Sequence, residues 1–174
     1  MSTELERFCV LFDRLVHLTH AGVSATENDL RTWQPNASQG LRIGTRIKTV
    51  TIKSLFIHQV VTEHLWTHAA ATCEEGASMP TPSDGAELTA RLDEGDYLEE
   101  ASLLHAENME LLRSFTESTL AKKVEFVGRA WTVMGFLWSM YAHHSYHFGH
   151  IDMYWRQSGN PGPDFHRFDP PEMA

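Results

Sequence analysis

The chain has 174 residues, with 14 Lys+Arg against 23 Asp+Glu, a formal net charge of −9 and two cysteines. This length suits one domain over residues 1–174, able to bury about two-thirds of its unfolded surface without staples. The acidic balance argues against non-specific binding to nucleic acid or anionic lipid, and no apolar run after Met1 resembles a signal peptide or a membrane span.

From Leu5 to Thr19 the residues Leu5, Phe8, Cys9, Phe12, Leu15, Val16 and Thr19 recur at three- and four-residue spacings, predicting an amphipathic helix over about 3–22 that carries His17 and His20. Residues 28–44 hold Asn, Pro, Ser and two glycines without a period and read as a loop that Trp33 can pack down. A second helix is expected from about Thr49 to Thr72, with Ile52, Leu55, Phe56, Val60, Val61, Leu65, Trp66 and Ala69 as its apolar residues. Glu74 to Gly85 is a Pro/Gly/Ser-rich connection in which Ser83 or Asp84 can cap the next helix. A third helical stretch runs from about Glu87 or Tyr97 to Leu120, and Lys122 to Trp131, broken by Gly128, reads as extended. Thr132 is the expected N-cap of a fourth helix from Val133 to about Gln157, stopped by the Gly/Pro-rich run that begins at Ser158. Residues 164–174 read as an extended tail. Four helices and no convincing sheet predict an all-α protein, a four-helix bundle. Loops of roughly 12–16 residues exceed those of simple up-down bundles and leave room for crossover connections.

Cys9 and Cys73 both lie in helical patterns, which fits a reducing, cytoplasmic setting. There the Asn36-Ala37-Ser38 sequon has no role. The expected partner is a small molecule rather than a nucleic acid or a membrane.

Eleven histidines stand in the chain. His143 and His147 are one helical turn apart, which is metal-ligand spacing; His150 stays on their stripe and His144 points about a quarter-turn away. That stripe also holds Phe136, Ser139, Met140 and Tyr154, so the imidazoles interrupt a core face. His58 lies on a largely apolar stripe of the second helix with Thr51, Leu55, Thr62, Leu65 and Ala69. Two facing helices can bring His58, His143 and His147 to one point. Three neutral imidazoles suit Zn, Ni, Cu, Fe or Co and leave coordination positions open, the arrangement of a catalytic site. His150 is either a fourth ligand or a proton-transfer group. His64 and His68 form a second i, i+4 pair on what reads as a solvated flank, while His17, His20, His105 and His166 carry no spacing signal. Asp152 and Arg156, opposite the histidine stripe, suit an exposed ion pair. There is no HExxH, no Glu-x-x-His of di-iron bundles, no G-x-S-x-G and no phosphate-cradling glycine loop.

The run from His143 to His150, followed by Ile151 to Arg156 and then Gly159 and Pro161, resembles the C-terminal signature of the DinB/YfiT-like metalloenzyme superfamily. His58, Glu63 and Trp66 are similar to that family's first metal histidine with its following Glu and aromatic residue. Leu30, Trp33 and Pro35, and Phe126-Val127-Gly128 with Trp131, are weaker echoes. Where the family carries an Arg-Gly-Gln-type run, this chain reads Phe148-Gly149-His150. The resemblance implies a four-helix bundle with a long crossover, a homodimer, and one divalent metal ion, zinc foremost with Ni, Fe, Co, Mn and Cu as alternatives, held by His58, His143 and His147. It also implies an enzyme in which the metal activates a thiol or a water towards an electrophilic small molecule. The expected activity is thiol S-transferase-like, with a low-molecular-weight thiol as cosubstrate; a hydrolase, lyase or cyclising enzyme, or a non-catalytic metal-binding module, is the alternative. His150, His144 and Tyr154 are the catalytic candidates, the first two as proton carriers and Tyr154, with Trp66 and Trp155, as a pocket wall.

Overall fold

A computed structural model describes residues 3–34, 49–160 and 162–163. The expected tail over 164–174, His166 and the sequon at Asn36 lie outside the described residues. Helix α1 (Thr3–Ala25) places Leu5, Phe8, Phe12, Leu15 and Val23 in the core, and a short α2 (Asn28–Thr32) follows within the expected loop. Helix α3 (Ile52–Thr72) starts at Thr51, whose Oγ1 accepts from the Ser54 amide at 3.0 Å while Ser54 Oγ accepts from the Thr51 amide at 2.8 Å. These reciprocal bonds satisfy two amides that a helix start leaves orphaned. Helix α3 is enclosed on nearly every side, so Gln59, Thr62, Glu63 and Thr67 are buried along with its apolar residues.

Of the two expected starts of the third helical stretch, Tyr97 is the one observed, and the stretch ends before Leu120. A 3-10 turn at Pro82–Gly85 leads into α4 (Ala86–Glu94), and α5 runs over Tyr97–Arg113. Gly95 and Asp96 make the break, because the Asp96 side chain accepts from the amides of Leu98 and Glu99, both at 3.2 Å, and so caps a new helix. Thr116 in turn caps the short α6 (Glu117–Ala121). Ser83 and Asp84 fall inside the 3-10 turn, where Asp84 Oδ2 accepts from the Thr81 amide at 2.7 Å.

A small sheet also differs from the expectation of none. Strand β2 (Lys123–Phe126) pairs antiparallel with β3 (Arg129–Thr132), Lys123 opposite Thr132, and the two-residue β1 (Ala77–Ser78) joins β2 in parallel. The β2–β3 turn uses Val127 at φ 51° and Gly128 at φ 71°, the left-handed pair a two-residue hairpin requires. Valine is strained there, and it is 82% exposed.

Thr132 caps α7 (Val133–Gln157) by accepting from the Gly135 amide at 3.0 Å. The long helices α1, α3, α5 and α7 make the bundle, with α1 and α3 each packing mainly on α5 and α7. Of the consecutive pairs among these four, α3 and α5 pack most extensively and α1 and α3 far less, so the chain crosses the bundle between α1 and α3 and again between α5 and α7. At one end Trp155 is sealed, donating from Nε1 to Thr26 Oγ1 at 2.7 Å, and a Cβ on Gly22 would stand 2.5 Å from its ring. No helix among the described residues is long and apolar enough to cross a membrane.

Candidate metal centre

His58 projects from the second turn of α3, and His143 and His147 from consecutive turns of α7. Their Nε2 atoms converge, His58 to His143 at 3.1 Å and His147 to His143 at 3.1 Å. A ring nitrogen offers either one N–H or one lone pair, so His143 Nε2 cannot form two good hydrogen bonds to these neighbours at once. A shared cation resolves the conflict, since two donors ~2.0–2.1 Å from one ion at tetrahedral to right angles stand roughly 2.9–3.4 Å apart. The residues present therefore fit a divalent metal ion. Burial, then the neighbouring imidazoles, pushes His143 far below the usual histidine range and His147 down to about 3. All of this keeps the lone pairs available to a metal. The Trp66 ring lies against His143 with centroids 4.9 Å apart. The Nδ1 atoms of His143 and His147 have no hydrogen-bond partner among the described groups.

A cavity of about 580 Å³ reaches His58, walled by Ile57 and Val61 of α3 and by Ser83, Thr89 and Asp93 across it. His150 is half-buried beside the trio, its ring centroid 5.6 Å from that of His147 and 4.3 Å from Tyr146. His144 is buried elsewhere: Nδ1 faces the Met140 carbonyl at 3.0 Å and Nε2 stands 3.7 Å from Glu63 Oε2. Tyr154 is buried and donates its hydroxyl to the Val50 carbonyl at 2.8 Å, away from the three Nε2 atoms. Neither borders the cavity beside His58. The exposed Arg156 pairs with Asp152 at 2.7 Å.

His105 and His17, which carry no spacing signal in the sequence, belong to a polar cluster. His105 Nδ1 meets Glu63 Oε1 at 2.7 Å and its Nε2 meets Asp13 Oδ1 at 3.2 Å, while Asn108 Nδ2 donates to Glu63 Oε1 at 3.0 Å. Burial opposes charge on both Glu63 and His105, but each partner's hydrogen bond and charge prevail, holding Glu63 below and His105 above their ordinary values. Asp13 and His17 share α1, but Glu63 and His105 come from other helices, so no pattern along the chain joins the four. His64 and His68 lie on a partly exposed flank, the His68 side chain 41% exposed, with His64 Nδ1 3.2 Å from Asn108 Oδ1 and His68 Nε2 3.5 Å from Glu107.

A four-helix bundle that gathers three imidazoles from two helices beside a cavity defines a candidate metalloprotein. The family model of the DinB family matches residues 29–174, and the chain belongs to that family. Its fold is similar to that of YfiT from Bacillus subtilis, described as "a probable metal-dependent hydrolase with an unusual four-helix bundle topology", with a TM-score of 0.65 and 16% sequence identity over 91% of this chain and 90% of that one. Comparison with curated protein sequences finds no match.

Proposed function

We propose that the chain is a divalent-metal-dependent enzyme acting on a small molecule, with His58, His143 and His147 as the ligands. The observation that carries this reading is the convergence of three Nε2 atoms, 3.1 Å from one to the next, at the edge of a cavity. An ion held there supplies Lewis acidity and lowers the pKa of a water or thiol presented to it. The chain's own part is to keep His143 and His147 neutral by burial and to hold the substrate against Ile57 and Val61, with the hydroxyls of Ser54, Ser83 and Thr89 as polar contacts. His150, half-buried with its ring centroid 5.6 Å from that of His147, would carry the proton.

Between water and thiol as the nucleophile, water is the first reading. It is supported by the similarly folded YfiT, described as a probable hydrolase. Thiol S-transfer is the second reading, supported by the apolar wall of Ile57, Val61 and Ala90 that would accept the carbon skeleton of an electrophile.

Metal content by mass spectrometry on tag-free protein tests the proposal. Wild type should carry an ion that His147→Ala lacks. The zinc-loaded protein should then hydrolyse members of an ester and amide panel without added thiol; turnover of electrophiles only with thiol present would select the transferase instead. Equal metal content in both proteins after incubation with Zn and Ni would overturn the metalloenzyme reading.

A further inference from the structure

A second group of metal-ligating side chains lies between α1 and α5, apart from the His58 trio. Asp13 and His17 stand one turn apart on α1, and His105 faces them from α5. Asp13 Oδ1 is 3.2 Å from His105 Nε2 and 3.6 Å from His17 Nε2, and the three donor atoms all lie within 4.8 Å of one another. The two imidazole rings meet edge to face with centroids 5.3 Å apart.

Two further observations separate this group from a chance surface cluster. His105 is held from behind: its Nδ1 contacts Glu63 Oε1 at 2.7 Å, and Asn108 fixes that same oxygen at 3.0 Å. A buried carboxylate on the far nitrogen fixes the tautomer that presents the Nε2 lone pair and raises its basicity, the support that metal-binding histidines carry. Beside the group lies a cavity of about 20 Å³ lined by His17, His20, Glu63 and His105, room for about one water. His20 Nε2 is buried with no hydrogen-bond partner among the described groups.

We propose that Asp13, His17 and His105 form a second site for a divalent transition-metal ion. Two imidazoles and one carboxylate suit zinc, iron(II) or cobalt, with open positions left for water. An ion there ties α1 to α5, and the site stands on residues the trio does not use, so it does not depend on the function proposed above.

Cobalt(II) is the probe, titrated into metal-stripped, tag-free full-length protein and followed by its absorption bands and by equilibrium dialysis. The His17 side chain is 67% exposed, so His17→Ala leaves the core intact, and Asp13→Asn keeps the shape of its side chain. The full chain should bind one ion more than either variant, or bind that ion at least tenfold more tightly. That ion should persist in His147→Ala and in His68→Ala, the latter removing the half-buried His64–His68–Glu107 group. If His17→Ala and Asp13→Asn bind as many ions as the full chain with unchanged affinity, the proposal is overturned, and His105 is then an imidazolium shared by Asp13 and Glu63.

Discussion

Glu63 and His105 meet at 2.7 Å with side chains 3% and 6% exposed, a carboxylate from α3 and an imidazole from α5 bonded where water scarcely reaches either. Removing one member of such a pair strands the other. Glu63→Leu or His105→Leu should each cost about 3 kcal/mol, lowering Tm by roughly 6–12 °C in metal-stripped protein. The double variant should lose less than the two costs combined, because the stranded partner is gone as well. Thermal denaturation of all four proteins checks this, and strict additivity would contradict the coupling.

Zinc should stabilise the folded chain through the His58, His143 and His147 trio. At a free concentration a hundred times Kd the gain is about 2.7 kcal/mol, a rise of roughly 5–10 °C in Tm. In His147→Ala the rise should shrink, and a chelator should reverse it in wild type. Scanning calorimetry with and without zinc reads it directly; an unchanged response in His147→Ala would deny the trio its ion.

Tyr154 donates to the Val50 carbonyl at 2.8 Å, just ahead of the Thr51 cap of α3. Tyr154→Phe leaves that buried carbonyl without the hydroxyl and should cost about 1–2 kcal/mol while metal content stays at the wild-type level. A variant as stable as wild type but inactive would instead assign the hydroxyl to catalysis.

Cys9 carries the clearest pH dependence. Burial, with a smaller push from Asp13 and against the pull of Arg113, raises its thiol from 9.0 to about 11. The folded state therefore favours the neutral thiol, and its contribution is complete below pH 9.0 and is lost as pH rises towards 11. The urea midpoint of wild type should fall across that interval more steeply than that of Cys9→Ala. Parallel curves would contradict the shift.

The long helices were readable in the chain because α1 and α7 record their buried faces at helical spacing, α3 is apolar along most of its length, and Thr132 stands at the start of α7 as its N-cap. The sheet was readable only in the extended stretch from Lys122 to Trp131, which becomes β2 and β3; β1 is two residues long, too short to show alternation, and Val127 is an unfavourable residue for the turn it occupies. The third helix could be placed only with its start open between Glu87 and Tyr97; the Asp96 cap selects Tyr97, and the Thr116 cap separates α6 from the end that the pattern extends to Leu120.

By itself the sequence determined that the chain is a helical bundle and that His58, His143 and His147 lie on inward stripes, because helical spacing alone sets which side chains share a face. Only the tertiary structure decided that their Nε2 atoms meet, that His144 turns towards Glu63, and that Asp13, His17, Glu63 and His105 form a second polar cluster. Those relationships depend on how α1, α3, α5 and α7 are set against one another. Packing in three dimensions brings together residues that no periodicity along one helix connects.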